Sequence, residues 1–198
     1  MTQSAAPSGD SARRADLLRA LIDYSAEHGL SDVSLRPLAA AVGSSPRMLL
    51  YFFGSKEGLV REVLNRSREH QFELVDRWLH EATSPADRIE RLWQWLADPE
   101  QAGIERLFFE GYARSLPDDA GAWSGFGAAS ITDWLPVIDR LLDPVARRSR
   151  GSGPMPTFVL ATVRGLLLDL LATGDRRRVG RAFAVLADLL RRQERPAE

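Results

Sequence analysis

Cysteine is absent from the 198 residues, which excludes disulfides and thiol catalysis. Histidine occurs only as His28, His70 and His80. His28 falls near the expected end of a helix, and His70 and His80 lie too far apart on one helix to share a metal ion, so each reads as a solvated side chain. Lysine is nearly missing too: of 26 basic residues, 25 are arginine and the remaining one is Lys56. No stretch alternates apolar and polar residues with the period of a strand, and no internal repeat occurs. The longest apolar run, residues 158–172, is interrupted by Arg164 and Asp169 and falls short of the ~20 residues of a membrane span. The first residues lack the apolar core of a signal peptide, so the cytoplasm is the expected compartment. There is no Gly-x-Ser-x-Gly elbow, phosphate-cradling glycine loop or dinucleotide fingerprint, so neither an enzyme nor a cofactor is expected.

What remains is a chain with 44% hydrophobic and 27% charged residues, too apolar for disorder. Net charge is −1 overall. Residues 11–70 carry nine basic and seven acidic side chains, whereas residues 71–198 carry seventeen and nineteen. That mild asymmetry does not identify a nucleic-acid binder, but it is the sign such a head would have.

The helical period organises everything after residue 10. Residues 1–10 are small and polar and read as a disordered tail. Ser11 can cap a first helix whose Leu18, Leu21, Ile22 and Ser25 form one stripe, ended by Gly29. Ser34 can cap a second helix with Pro37 in its first turn, and Gly43 breaks it. Ser45 caps a third, with Pro46 at its first position. Ser55 caps a fourth that can run to about Ala82 before Ser84–Pro85. Helices are then expected over residues 86–97, 100–115, 126–148 (with Pro136 kinking or splitting it), 157–173 and 178–193. Loops are expected over 116–123 and 150–156. The fold class is all-α.

The second and third helices have the composition of a helix-turn-helix. Ala39 allows close contact, Gly43 makes the turn, and Leu35, Leu38, Val42, Leu49 and Phe52 form the packing set. The outward face of the third helix then carries Ser45, Pro46, Arg47, Met48 and Tyr51. Arg47 near a helix N-terminus can reach the two guanine acceptors of the major groove, and Arg36 falls to the same side. Ser34, Ser45, Tyr51 and Lys56 are placed for phosphates, Lys56 where free N–H groups also favour an anion.

The segment Leu49-Leu50-Tyr51-Phe52-Phe53-Gly54-Ser55-Lys56-Glu57-Gly58-Leu59 resembles the signature of the TetR family of bacterial transcriptional regulators, with its Phe-x-Ser-Lys-Glu-x-Leu hallmark. The resemblance in motif covers about residues 12–64. It implies that Arg36, Pro46, Arg47 and Met48 reach base edges and that Ser34, Ser45, Tyr51 and Lys56 hold the phosphate backbone. The chain departs from the family at Leu50, commonly tyrosine, and at Phe52, commonly histidine. Leu50 cannot make a hydroxyl–phosphate bond, and Phe52 implies a drier contact beneath the third helix.

The expected organisation is a tail (1–10), a three-helix DNA-binding head (11–54) and a larger helical body (55–198) that binds a ligand and dimerises. The last two helices, about 157–193, are too apolar for so small a body to cover, so a homodimer through them is expected. Two recognition helices ~34–36 Å apart would then meet successive major grooves of a palindromic operator. Large aromatics crowd the middle helices. Each can be core, or several can line a cavity, as the family resemblance implies. The candidates are Trp93, Phe108, Tyr112, Trp123, Phe126, Trp134 and Arg164, for a hydrophobic or aromatic effector. Glu110, Arg114, Thr162 and Asp169 are further polar candidates. The resulting expectation is a ligand-released repressor, nucleoid-associated when bound to DNA, in which the fourth helix carries the signal. The competing reading is a helical protein-interaction or small-molecule-binding module without operator-specific DNA binding.

Overall fold

The computed structural model describes residues 9–28, 30, 33–81, 84–117, 120–146 and 153–194. Its elements are α1 (Gly9–His28), α2 (Leu35–Ala41), α3 (Pro46–Phe53), α4 (Lys56–Glu81), α5 (Pro85–Leu96), α6 (Ala102–Arg114), α7 (Phe126–Ala146), α8 (Met155–Thr173) and α9 (Arg176–Glu194). Short 3₁₀ turns at Pro99–Gln101 and Gly121–Trp123 precede α6 and α7. Among the described residues there is no strand.

Caps set most of these boundaries. Ser45 Oγ accepts from Met48 N (3.2 Å), Ser55 Oγ from Gly58 N (2.9 Å) and Ser84 Oγ from Asp87 N (3.1 Å). Pro46 and Pro85 occupy the first helical positions, where the absent N–H costs nothing. Ser34 behaves differently from expectation: its side chain makes no cap bond, and only its carbonyl joins α2, accepting from Leu38 N. The first helix starts at Gly9, ahead of the Ser11 cap; the expected tail over residues 1–8, the Gly29 stop, and residues 82, 118–119 and 147–152 of the expected helix ends and loops lie outside the described residues.

Pro136 does not split α7, which runs unbroken from Phe126 to Ala146. The proline is exposed, so the Thr132 carbonyl it leaves without an N–H partner lies on the solvent side, where water can satisfy it.

Two apolar clusters divide the molecule, and neither follows the chain order of head and body. The first joins Leu17, Leu18 and Leu21 of α1 with Leu38, Ala39, Leu49 and Phe53 of the helix-turn-helix. It also takes in Leu59, Val60, Val63 and Leu64 of α4, Ile104 and Leu107 of α6, and Trp123 and Phe126. The second packs α5, α7, α8 and α9 around Ile89, Leu92, Ile138, Leu141, Leu142, Val159 and Leu190. α4 contributes its first half to one cluster and Val75 to the other. The head therefore rests on α6, through α1, as well as on α4.

α8 is the described helix long and apolar enough to cross a membrane by composition. It instead buries Val159, Leu160, Val163, Leu167 and Leu170 against its neighbours. Phe158 and Leu168 of α8 remain about half exposed, and Val185 (70% exposed) and Leu189 are exposed on α9. Ala182 is exposed on α9 as well.

Candidate nucleic-acid interface and ligand cavity

The second and third helices form the expected pair. Leu38, Ala39 and Leu49 are fully buried where they touch, and Gly43 turns the chain with φ +64°. Leu35, Val42 and Phe52 are only partly covered. The deep anchor is Phe53, over which the Arg14 guanidinium sits at 5.4 Å from the ring centroid. Phe52 packs edge-on between Tyr51 and Phe53, so the drier support attributed to it is shared with its neighbour.

With that face inward, the surface left outside is polar and basic. Ser34, Arg36, Ser45 and Arg47 are exposed, and Pro46 and Met48 are half-buried beside them. Tyr51 is 67% exposed and Leu50 41%, large values for residues on a helix whose other side is core. The Tyr51 hydroxyl donates to Asp10 Oδ2 at 3.4 Å. Asp10 escaped the sequence reading because it falls in a polar stretch with no periodicity of its own. A phosphate approaching Tyr51 would have to replace this carboxylate.

The join between α3 and α4 has a specific geometry. Gly54 adopts φ +76°, ψ −55°, and Ser55 N donates to Phe53 O at 2.9 Å, closing a three-residue γ-turn of the positive-φ kind. A side chain would be strained there. One turn later, a Cβ on Gly58 would fall far inside van der Waals contact of the Phe53 carbonyl oxygen. Gly54 and Gly58 thus let α3 end directly on the first turn of α4, with no slack between them. Lys56 stands at this joint, half-buried at a small cleft with Glu57, Val60, Leu107, Glu110 and Arg114.

The other half of α4 lines a cavity. Leu64, Asn65, Ser67, Arg68 and Gln71 form one wall; α5, α6, α7 and α8 supply the rest, through Leu92, Leu96, Glu105, Phe108, Phe126, Ser130, Trp134 and Arg164 among others. Its enclosed volume is about 60 Å³, and its mouth is open to solvent. Of the sequence candidates, Phe108, Phe126, Trp134 and Arg164 line it. Trp93 does not: it stacks on Phe183 at 4.7 Å in the core between α5 and α9. Trp123 packs edge-on against Phe126 beneath the head, beside the smaller cleft. Tyr112 faces an apolar surface groove bounded by α6, α7 and α8, whose wall with the cavity is shared by Phe109, Leu160 and Arg164.

Polar groups in the cavity are few and unequal. Arg164 donates to Ser130 Oγ (2.7 Å) and lies over the rings of Phe108 (5.2 Å) and Tyr112 (5.5 Å). Burial lowers its pKa, opposed by the nearby Tyr112 and Glu105. Glu105 is 5% exposed and accepts a single long hydrogen bond, from Gln71 Nε2 at 3.3 Å. Burial pushes its pKa up to about 8, outweighing the opposing pull of Arg164 and of the Gln71 hydrogen bond, so it is neutral at pH 7. Arg68 is paired with Asp133 of α7 at 2.7 Å. Glu105, Gln71 and Ser130 were missed in the sequence because a polar residue on an amphipathic helix reads as its solvent face. The remaining candidates point elsewhere. Glu110 and Arg114 pair with each other, and Asp169 pairs with Arg178 at 2.7 Å on the outside of the bundle. Thr162 is half-buried and does not line the cavity.

Residues 17–63 match the model of the bacterial regulatory proteins of the tetR family. The chain is 32% identical over 113 residues to the HTH-type transcriptional repressor KstR2 of Mycolicibacterium smegmatis; this match covers 57% of the chain and spans only 55% of that relative. It is 28% identical over 180 residues to the HTH-type transcriptional regulator EthR of Mycobacterium tuberculosis, covering 83% of the chain and 76% of EthR. In fold it is similar to Thermus thermophilus FadR, a TetR-family transcriptional repressor solved with lauroyl-CoA (TM-score 0.63, 19% identity, 94% of this chain and 97% of that one). The buried Ala39 and Leu49, the exposed basic third helix and most of the glycine-tight join to α4 lie within the segment 17–63, and this head is similar to that of the bacterial regulatory proteins of the tetR family.

Proposed function

We propose that this protein is a dimeric DNA-binding transcriptional repressor released from a palindromic operator by a small molecule. One observation carries the reading: α4 joins both candidate sites without slack. Its first turn is locked to the recognition helix by Gly54 and Gly58, and its middle forms a wall of the cavity. A ligand that binds the cavity better in one position of α4 shifts the population toward that position, and the head moves with it. Arg36, Pro46, Arg47 and Met48 would face base edges; Ser34, Ser45, Tyr51 and Lys56 would face phosphates. The ion pairs Arg68–Asp133 and Arg140–Asp76 tie α4 to α7 and would be reset by the movement.

The second copy is expected on α8 and α9, where Phe158, Leu168, Val185 and Leu189 leave apolar surface that a four-helix interface would cover. Two heads at ~34–36 Å would then read successive major grooves. The compartment consistent with this role is the cytoplasm, with the protein on the nucleoid when DNA-bound. That FadR was solved with an acyl thioester supports a small-molecule effector in the equivalent body. Fluorescence anisotropy with duplexes tiled across the region upstream of the gene tests the reading. Saturable, salt-dependent binding to one duplex at two protomers per site is expected, and uniform weak binding to all of them would refute it.

A further inference from the structure

We infer that the cavity receives an amphipathic carboxylic acid, its carboxylate on the Arg164 guanidinium and its apolar tail among Leu92, Leu96, Trp134 and Leu160. The inference rests on the reading above that this cavity is the effector site, and it names the chemistry of the effector.

The starting point is an imbalance of charge. Arg164 is half-buried between the cavity and the groove outside it, yet no carboxylate lies within ion-pair distance of it among the described residues. Its acceptors are the Ser130 hydroxyl, the Ser130 carbonyl at 3.4 Å and the Tyr112 phenol. A guanidinium carries five N–H donors in a rigid fork suited to a carboxylate, and neutral acceptors of this kind leave that capacity largely unused. The contrast with other arginines is direct: Arg68 has Asp133, Arg178 has Asp169, and Arg114 has Glu110. Withdrawing a cation from water without a counter-charge is costly, and a bound anion removes that cost.

Glu105 does not supply the missing charge. Its carboxyl is buried, hydrogen-bonded only to Gln71, and held in the protonated form at neutral pH. In that form it can donate its O–H to a second carboxylate where an ionised one would repel it. One guanidinium and one neutral acid match a single negative charge on a planar head. The charged and titratable groups around them are Arg68 with Asp133 from α4 and α7, Tyr112 and Glu105 from α6, and Arg164 from α8. A cationic head would meet an uncompensated arginine. An alcohol would leave the guanidinium unpaired. The tail surroundings are uniformly apolar: Leu92, Leu96, Ile138, Leu160, Val163 and Leu167 with the Trp134 ring.

Isothermal titration with decanoate, decanol and decylamine, and with phenylbutyrate and its alcohol, separates the outcomes on the full chain. The acids are expected to bind roughly tenfold or more tightly than their matched alcohols, the scale of a charge-assisted hydrogen bond. Arg164→Gln should erase that preference, so that acids and their matched alcohols bind alike. Operator binding and melting temperature of the variant report that it has folded; should it not fold, the wild-type acid-to-alcohol ratio still decides. Acid affinity should fall as pH rises through about 8, where Glu105 ionises, and Glu105→Gln should flatten that fall. If alcohols or the amine bind as tightly as the acids, the effector reading stands and the carboxylate inference is wrong. If none of the five binds while operator binding is intact, both fall.

Discussion

Replacing Glu105 with glutamine should make the protein more stable at neutral and mildly alkaline pH, and the size of the gain follows from one buried carboxyl. In the unfolded chain Glu105 titrates near the usual 4.5; in the fold burial raises it to about 8. Its folded pKa is therefore the higher one, so the stabilisation it reports is complete below pH 4.5 and is lost as pH rises through the folded value. Across that window the native state holds one more proton than the unfolded state, and stability declines by about 1.36 kcal/mol for each pH unit. From pH 5 to pH 8 the decline attributable to this residue is on the order of 4 kcal/mol, comparable with much of a domain's total stability. Glutamine keeps the shape and the partner Gln71 but cannot titrate. Urea unfolding of wild type and Glu105→Gln at four pH values between 5 and 8 isolates the effect, because the two chains differ only at this residue. The difference in unfolding free energy should widen steadily with pH in favour of the variant. Parallel pH profiles would refute the assignment of a buried, nearly unpartnered carboxyl.

Three further outcomes test the remaining geometry. Gly58→Ala should cost roughly 1–3 kcal/mol in urea unfolding, because the added Cβ meets the Phe53 carbonyl, and should weaken operator binding by displacing α3 from α4; unchanged affinity would mean the join has slack. Arg47→Ala should relax selectivity at one base pair, whereas Lys56→Ala should weaken all duplexes alike and lower the salt slope by about 1, both read by anisotropy over a salt series. Val185→Glu, at a site 70% exposed in the single chain, should leave the unfolding of the protomer unchanged yet give a monomer in analytical ultracentrifugation; a persistent dimer would place the interface elsewhere.

The head was legible from residues alone because its constraints are local. Caps lie within three residues of the N–H groups they satisfy, as Ser45 does for Met48. Prolines mark first turns, and the burial of Leu38, Ala39 and Leu49 follows a helical period that any reader of the chain can count. Even the positive φ of Gly54 is implied by a glycine between two capped helices. The helix count of the body was legible for the same reason.

Which face of each helix meets which neighbour is a different kind of fact, because it depends on pairings across the chain that periodicity does not encode. Trp93 and Trp134 look alike in sequence, yet one stacks on Phe183 in the core and the other lines the cavity. Arg164 and Asp169 interrupt the same apolar helix. Only packing sends the first inward to Ser130 and Phe108 and the second outward to Arg178. Glu105 carries the lesson furthest. Nothing about its neighbours in sequence distinguishes it from a solvated glutamate, and its raised pKa exists only because α4, α7 and α8 close over α6.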